Sequence, residues 1–173
     1  KAGREVVDSL IGLKSAAVNS LYAAAFEVFE SLASRSEMVE LSEVCKRKPQ
    51  SGIYKSEAHR GKGYRFVNMN ELFGNDLISE KTPMDRVDLS DEEIDRFGLT
   101  SDDLIFGRRS IVVSGAGRCA QVGELREPVA FESSVLRVTI DREVAVPAFV
   151  FEWLRSPLGD QQIKRITTFT TVA

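Results

Sequence analysis

The sequence predicts an α+β protein: a long N-terminal helix of coiled-coil type, followed by a mixed α/β domain with a twisted, mainly antiparallel sheet. Three observations carry this. Residues 6–32 hold a heptad-spaced apolar stripe with no proline. Beyond it lie short runs rich in β-branched and aromatic residues, the composition of strands. Helical signals are scattered among these runs and do not alternate with them, which argues against a doubly wound sheet.

Taken in order, Val7, Leu10, Ala17, Leu21, Ala24 and Val28 form the stripe, with Lys14 its exception. Leu13, Val18, Tyr22, Ala25, Phe26, Phe29 and Leu32 widen the apolar surface beyond a two-stranded seam. The polar break at Ser31-Leu-Ala-Ser-Arg-Ser-Glu-Met38 divides this helix, residues 1–36, from a domain over 37–173, so the helix is expected to project and pair with another. Strands are expected at Tyr64–Val67, Leu104–Phe106, Ile111–Val113, Val129–Phe131 and Val135–Ile140. Ser90-Asp-Glu-Glu93 is a capping box opening a short helix through Ile94 and Phe97 to Gly98. Pro147 suits the first position of a helix carrying Phe149, Phe151, Trp153 and Leu154. Ser156 caps another, with Pro157 in its first turn and Ile163 and Ile166 along it. Thr167–Ala173 reads as a strand cut short, and position 1 is not Met, so a piece of a longer protein is expected.

At 173 residues and 19.2 kDa there is room for one well-cored domain plus an appended helix. No apolar run nears the ~20 residues of a membrane span, and no signal peptide opens the chain. Cys45 and Cys119 match no metal-ligand spacing and fit reduced thiols in a cytoplasm. The net charge of −3 and pI near 5.4 argue against a nucleic-acid binder, but the charges are not evenly spread. Lys46, Arg47, Lys48, Lys55, Arg60, Lys62 and Arg65 crowd one segment, and Arg108, Arg109 and Arg118 form another group. The acids gather between Glu71 and Asp103. A basic face on an acidic body can bind DNA locally.

Catalytic alternatives are weaker. Ile111-Val-Val-Ser-Gly115-Ala-Gly117 has the spacing of a dinucleotide-binding turn, with Asp141 downstream as a ribose-binding acid. Gly123 and Pro128 leave too little chain for the helix such a turn needs, and Gln121–Leu125 reads as the return strand of a hairpin. His59 is the single histidine and lies near no cysteine in sequence. The acids lack a calcium-loop pattern, and no methyl-donor-binding or adenine-methylating motif is present. No cofactor, metal or enzymatic activity is expected.

Four segments in order carry a family resemblance: Leu41-Ser-Glu-Val44, Ser51-Gly-Ile-Tyr-Lys-Ser56, Asn70-Glu-Leu-Phe73 and Asp102-Asp-Leu-Ile-Phe-Gly-Arg-Arg-Ser110. Behind a helix, this order resembles the target recognition domain of the DNA-specificity subunit of Type I restriction-modification enzymes. The resemblance implies an opening strand at Leu41–Val44 and a non-catalytic protein reading one half of a bipartite duplex target. It also implies partnership with modification (methyltransferase) subunits and with a motor-nuclease restriction subunit, and helices that pair antiparallel. On that basis Lys46, Arg47 and Lys48 are expected on phosphates. Lys55, His59, Arg60, Lys62 and Asn68 are the groove candidates, since Arg reads guanine and Asn reads adenine bidentately. Arg108 and Arg109 suit either task. The exposed stripe predicts a homodimer through Val7, Leu10, Ala17, Leu21, Ala24 and Val28. A protein-protein scaffold acting through the helix, and a nucleotide-binding enzyme at Gly115–Gly117, are the alternatives.

Overall fold

The computed structural model describes residues 2–108 and 117–166. Helix α1 (Ala2–Arg35) is longer at both ends than its apolar stripe, about 50 Å at 1.5 Å per residue. The strand expected next, at Leu41–Val44, is instead a single 3-10 turn. Its cause is local: the Glu43 carboxylate accepts the Glu40 amide at 2.9 Å, while the Glu43 amide donates to the Glu40 carbonyl at 3.0 Å.

The body then runs β1 (Gln50–Ser51), β2 (Arg60–Val67), α2 (Met69–Gly74), β3 (Leu77–Ile78), β4 (Asp85–Val87) and α3 (Asp91–Phe97). After these come β5 (Asp103–Gly107), β6 (Cys119–Val122), β7 (Val129–Phe131), β8 (Val135–Thr139), α4 (Pro147–Arg155) and α5 (Pro157–Ile166). The strands form two sheets where one was expected. The larger has the order β1-β8-β5-β6-β3 and the smaller β4-β2-β7. Most neighbours are antiparallel, but each sheet holds one parallel pair, β3 with β6 and β2 with β7. Capping at Ser90, Pro147 and Ser156 is as the sequence predicts. Ile111–Val113 and Thr167–Ala173 lie outside the described residues.

Successive side chains in a strand face opposite ways, and here both faces are buried. Val67, Ile105, Ala120, Val129 and Phe131 meet between the two sheets, joined by Leu72 of α2. Leu104, Cys119 and Val138 point the other way, under Val150 and Phe151 of α4. On the far side, Phe66, Val87 and Ala130 pack beneath Ile94 of α3. The layers are therefore α3, small sheet, large sheet, and α4 with α5. This is why Leu104–Phe106 and Val129–Phe131 read as continuous apolar runs without polar alternation.

One short crossing ties the sheets together. The chain from Cys45 to Gly52 lies along β8, and Ile53 then bridges Glu132 just after β7. Gly52 sits where no side chain fits, because a Cβ there would stand 2.2 Å from the Phe131 carbonyl oxygen. Helix α1 joins the body through its end, where the Phe29 ring meets Trp153 edge-on at 5.4 Å. Ala25, Phe26 and Ala33 are half-buried, whereas Ala17, Leu21, Ala24 and Val28 are exposed, Leu21 by 70% and Val28 by 58%. The side chains of Val7 and Leu10 lie outside the described ones.

Replacing Gly52 by Ala is expected to cost about 1–3 kcal/mol or more, since backbone on both sheets has to move. Gly74→Ala is the control: nothing lies within 4 Å of its Cβ position, and its effect is expected within about 0.5 kcal/mol. Denaturant unfolding checks this. Equal midpoints for the two variants would mean the sheets do not approach so closely at Gly52.

Candidate nucleic-acid interface

The outer edge of the large sheet is the segment from Cys45 to Gly52. Its backbone is held at both ends, by the Lys46 amide on the Thr139 carbonyl at 2.9 Å and the Gly52 amide on the Val135 carbonyl at 3.1 Å. Lys46, Arg47 and Lys48 are exposed along this edge. Arg47 is oriented by its Nε donating to Thr139 Oγ1 at 2.9 Å, and the Thr139 hydroxyl in turn donates to buried Asp103. At the other end, β5 delivers Arg108, whose amide donates to the Ser134 carbonyl at 2.8 Å and whose Nη1 reaches Ser51 Oγ at 3.3 Å. The cations thus flank the length of β8, roughly 15 Å at strand rise.

Beneath this edge, Arg137 is a buried strut. It donates to the Gly98 carbonyl at 2.6 Å, to the Arg96 carbonyl at 3.2 Å and to the Gln50 side chain, with its guanidinium over Phe131. Burial pulls its pKa below the ordinary arginine value. It links α3 to β1, and no local sequence signal marks it as structural.

The second basic segment behaves differently. Arg60 and Tyr64 both pair with Val87, so Gly61-Lys-Gly63 loops out of β2, with φ of 91° at Gly61 and 89° at Gly63. Lys62 at its tip binds Asp88 at 2.9 Å, and Lys55 binds Glu93 at 2.8 Å. Arg60 lies 3.3 Å from Glu57 and 3.9 Å from Asp85, and donates to Asn68 Oδ1 at 3.2 Å. The Asn68 side chain also caps α2. Arg65 is buried against Glu80 and Glu127. His59 is exposed, its Nδ1 3.1 Å from Ser56 Oγ.

The sequence-predicted site residues therefore divide in two. Among the described residues, Lys46, Arg47, Lys48 and Arg108 lie within ion-pair distance of no carboxylate, whereas Lys55, Arg60 and Lys62 each do. Arg118 shares the Asp76 carboxylate with Arg155. Arg109 and Gly115 lie outside the described residues. After Gly117 the chain enters β6, antiparallel to β5, where a dinucleotide turn needs a helix. Among the described residues no group of three metal-type ligands exists, and no helix is long and apolar enough to cross a membrane.

No family model matches the sequence, and no curated protein matches it. In three dimensions, 97% of the chain superposes on 44% of a chain from a structure described as the basis of complex assembly and conformational transition of the type I R-M system. The TM-score is 0.54 at 16% identity. The chain shares the fold of that part of the neighbour. The HsdS subunit from Thermoanaerobacter tengcongensis also aligns, over 93% of this chain and 44% of its own, with TM-score 0.47 and 15% identity. The chain spans 44% of the length of each neighbour.

Several carboxylates here sit below their usual range. Glu80 is lowered chiefly by the Arg126 amide, Asp88 by Lys62, and Glu93 by Lys55 and the Ser90 amide. For depressed acids the unfolded chain binds more protons, so their stabilisation is present above the ordinary carboxylate pKa and is lost as pH falls through the folded value. Melting temperature is expected to fall on acidification below about pH 4, and Asp88→Asn with Glu93→Gln to make that acid limb shallower. Identical limbs in a pH series of thermal melts would show the pairs do not form.

Proposed function

We propose that this chain binds duplex DNA without catalysing a reaction, reading one half of a bipartite target within a type I restriction-modification assembly. The observation that carries the reading is the cationic edge of Lys46, Arg47, Lys48 and Arg108, which among the described residues meets no carboxylate, on a fold shared with a type I R-M chain. Phosphates are acceptors only, and exposed cations fixed at two ends of a strand suit successive phosphates. The Gly61–Gly63 bulge and the Lys55, His59, Arg60 and Asn68 group then face the groove. Modification subunits, and a motor-nuclease subunit, are the partners this reading assigns.

Neutralising Lys46, Arg47 and Lys48 together is expected to weaken binding to every duplex alike and to lower the salt slope by about one unit for each phosphate left without its cation. Arg60→Ala is expected to cost roughly 1–3 kcal/mol on a duplex selected from a random pool, and little on random DNA. Affinities measured over a salt series decide it, and parent-like binding by all these variants removes the loop from the site.

The exposed stripe of α1 supports an antiparallel homodimer, in which the helix of a second copy covers Ala17, Leu21, Ala24 and Val28. Changing Leu21 and Val28 to Asp is expected to yield monomers and weaker DNA binding through lost avidity. A parent chain that sediments as a monomer at high concentration sinks the dimer. A scaffold reading draws on the same stripe and on an apolar groove of about 520 Å³ between Leu32, Met38, Val39, Val144, Val146 and Phe149. It predicts that the cation variants change nothing.

A further inference from the structure

Lys55 and Lys62 belong to the basic segment, yet each ammonium is already occupied by a carboxylate from the strip after β4. Lys62 meets Asp88 at 2.9 Å, and Lys55 meets both oxygens of Glu93 at 2.8 Å. We propose that Asp88 and Glu93 are specificity-determining residues of the DNA-binding face, which deny these two lysines to backbone phosphates. The inference rests on the DNA-binding reading and deepens it.

Several features point this way. The Lys62–Asp88 pair is open to solvent on both sides, and exposed pairs of this kind add little to stability, so the fold has little need of it. Glu93 already completes the α3 capping box by accepting the Ser90 amide at 2.9 Å, and its hold on Lys55 is additional. The acid strip is fixed to the basic loop, because the Asp88 amide donates to the His59 carbonyl at 2.8 Å. Lys62 stands on the Gly61–Gly63 bulge, clear of the β2 ladder and 71% exposed, so a duplex approaching it also meets Asp88. Both acids sit below the ordinary carboxylate value, chiefly because of the hydrogen bonds from their lysines.

Chemistry makes this arrangement selective. Non-specific binding is phosphate neutralisation, and a lysine tied to a carboxylate releases little from the counterion atmosphere. A Lys–carboxylate pair presents a donor and an acceptor side by side. A phosphate row offers acceptors alone, and its charge is repelled by the acid. A base-pair edge offers both, such as guanine O6 to the lysine and the cytosine amino group to the carboxylate.

The test compares the 173-residue chain with its Asp88→Asn/Glu93→Gln form on a short random-sequence duplex and on a duplex selected by the parent from a random pool. Gln keeps the capping box, and Asp88→Asn alone, which touches no cap, is the second variant. Expected on random DNA is a tightening of roughly tenfold per lysine released near 0.1 M salt, with the salt slope steeper by about 0.9 for each. The gain on the selected duplex is smaller, so the ratio between the two falls. Glu152→Gln, on α4 behind the large sheet, changes neither. Parent-like affinity and slope on random DNA, or an equal gain on both duplexes, overturns the inference and leaves DNA binding standing. If neither parent nor variants bind either duplex at low salt, the DNA reading itself falls and the inference with it.

Discussion

Gly52 lets one strand edge serve two sheets. Its amide belongs to β8 of the large sheet, and its α-carbon lies against the Phe131 and Glu132 carbonyls beside the small one. Backbone this close leaves no room for a side chain, and the next amide, of Ile53, donates to the Phe131 carbonyl at 3.0 Å to fix the approach. The rest depends on it. The layer of Val67, Ile105 and Phe131 is closed on this side by the crossing, and the cations before Gly52 are pinned along β8 because the chain has to arrive there in register. Arg137 stiffens the same corner from beneath by taking carbonyls from the end of α3.

Two electrostatic regimes coexist within about twenty residues of chain. Before Gly52 the cations face water and rely on backbone and hydroxyl groups for orientation. After it they face carboxylates, some carried by β4 and α3 and the segment between them, others by Glu57, Glu80 and Glu127. The net charge of −3 says nothing of this division, since it sums over a body whose acids are spent on particular neighbours. The helix that precedes the domain is divided in a similar way, with Phe29 and Ala33 turned to α4 and α5, and Leu21 and Val28 turned to solvent.

Much of the fold is legible in the sequence where a single local cause decides it. Ser90 and Glu93 specify a helix start, Pro147 another, and Val129–Phe131 is apolar on successive residues because both faces are covered. Strands β1, β3 and β4 hold two or three residues each and owe their pairing to distant partners, so no periodicity announces them. Leu41–Val44 misleads because its apolar ends suit a strand, while Glu40 and Glu43 close a turn between themselves. The basic residues of the site are visible as composition. Which of them is free is not, because Lys55 finds Glu93 across 38 positions and Arg108 finds Ser51 across 57.

The bulge in β2 has a separate consequence for how such a chain can change over time. Arg60 and Tyr64 share one partner, Val87, so the three residues between them are not part of the ladder, and space around Gly61 is open. Lengthening or shortening that stretch leaves the count of paired residues unaltered and touches neither buried layer. Tyr64 resumes the strand in phase, and Phe66 and Val67 still point into their own layers. A loop closed on a fixed pair of ends grows at a cost that rises only with the logarithm of its length. Insertions around residues 61 and 62 are thus cheap while the scaffold stays the same, whereas Gly63 has to stay, because a Cβ there would stand 2.5 Å from the Val87 carbonyl oxygen.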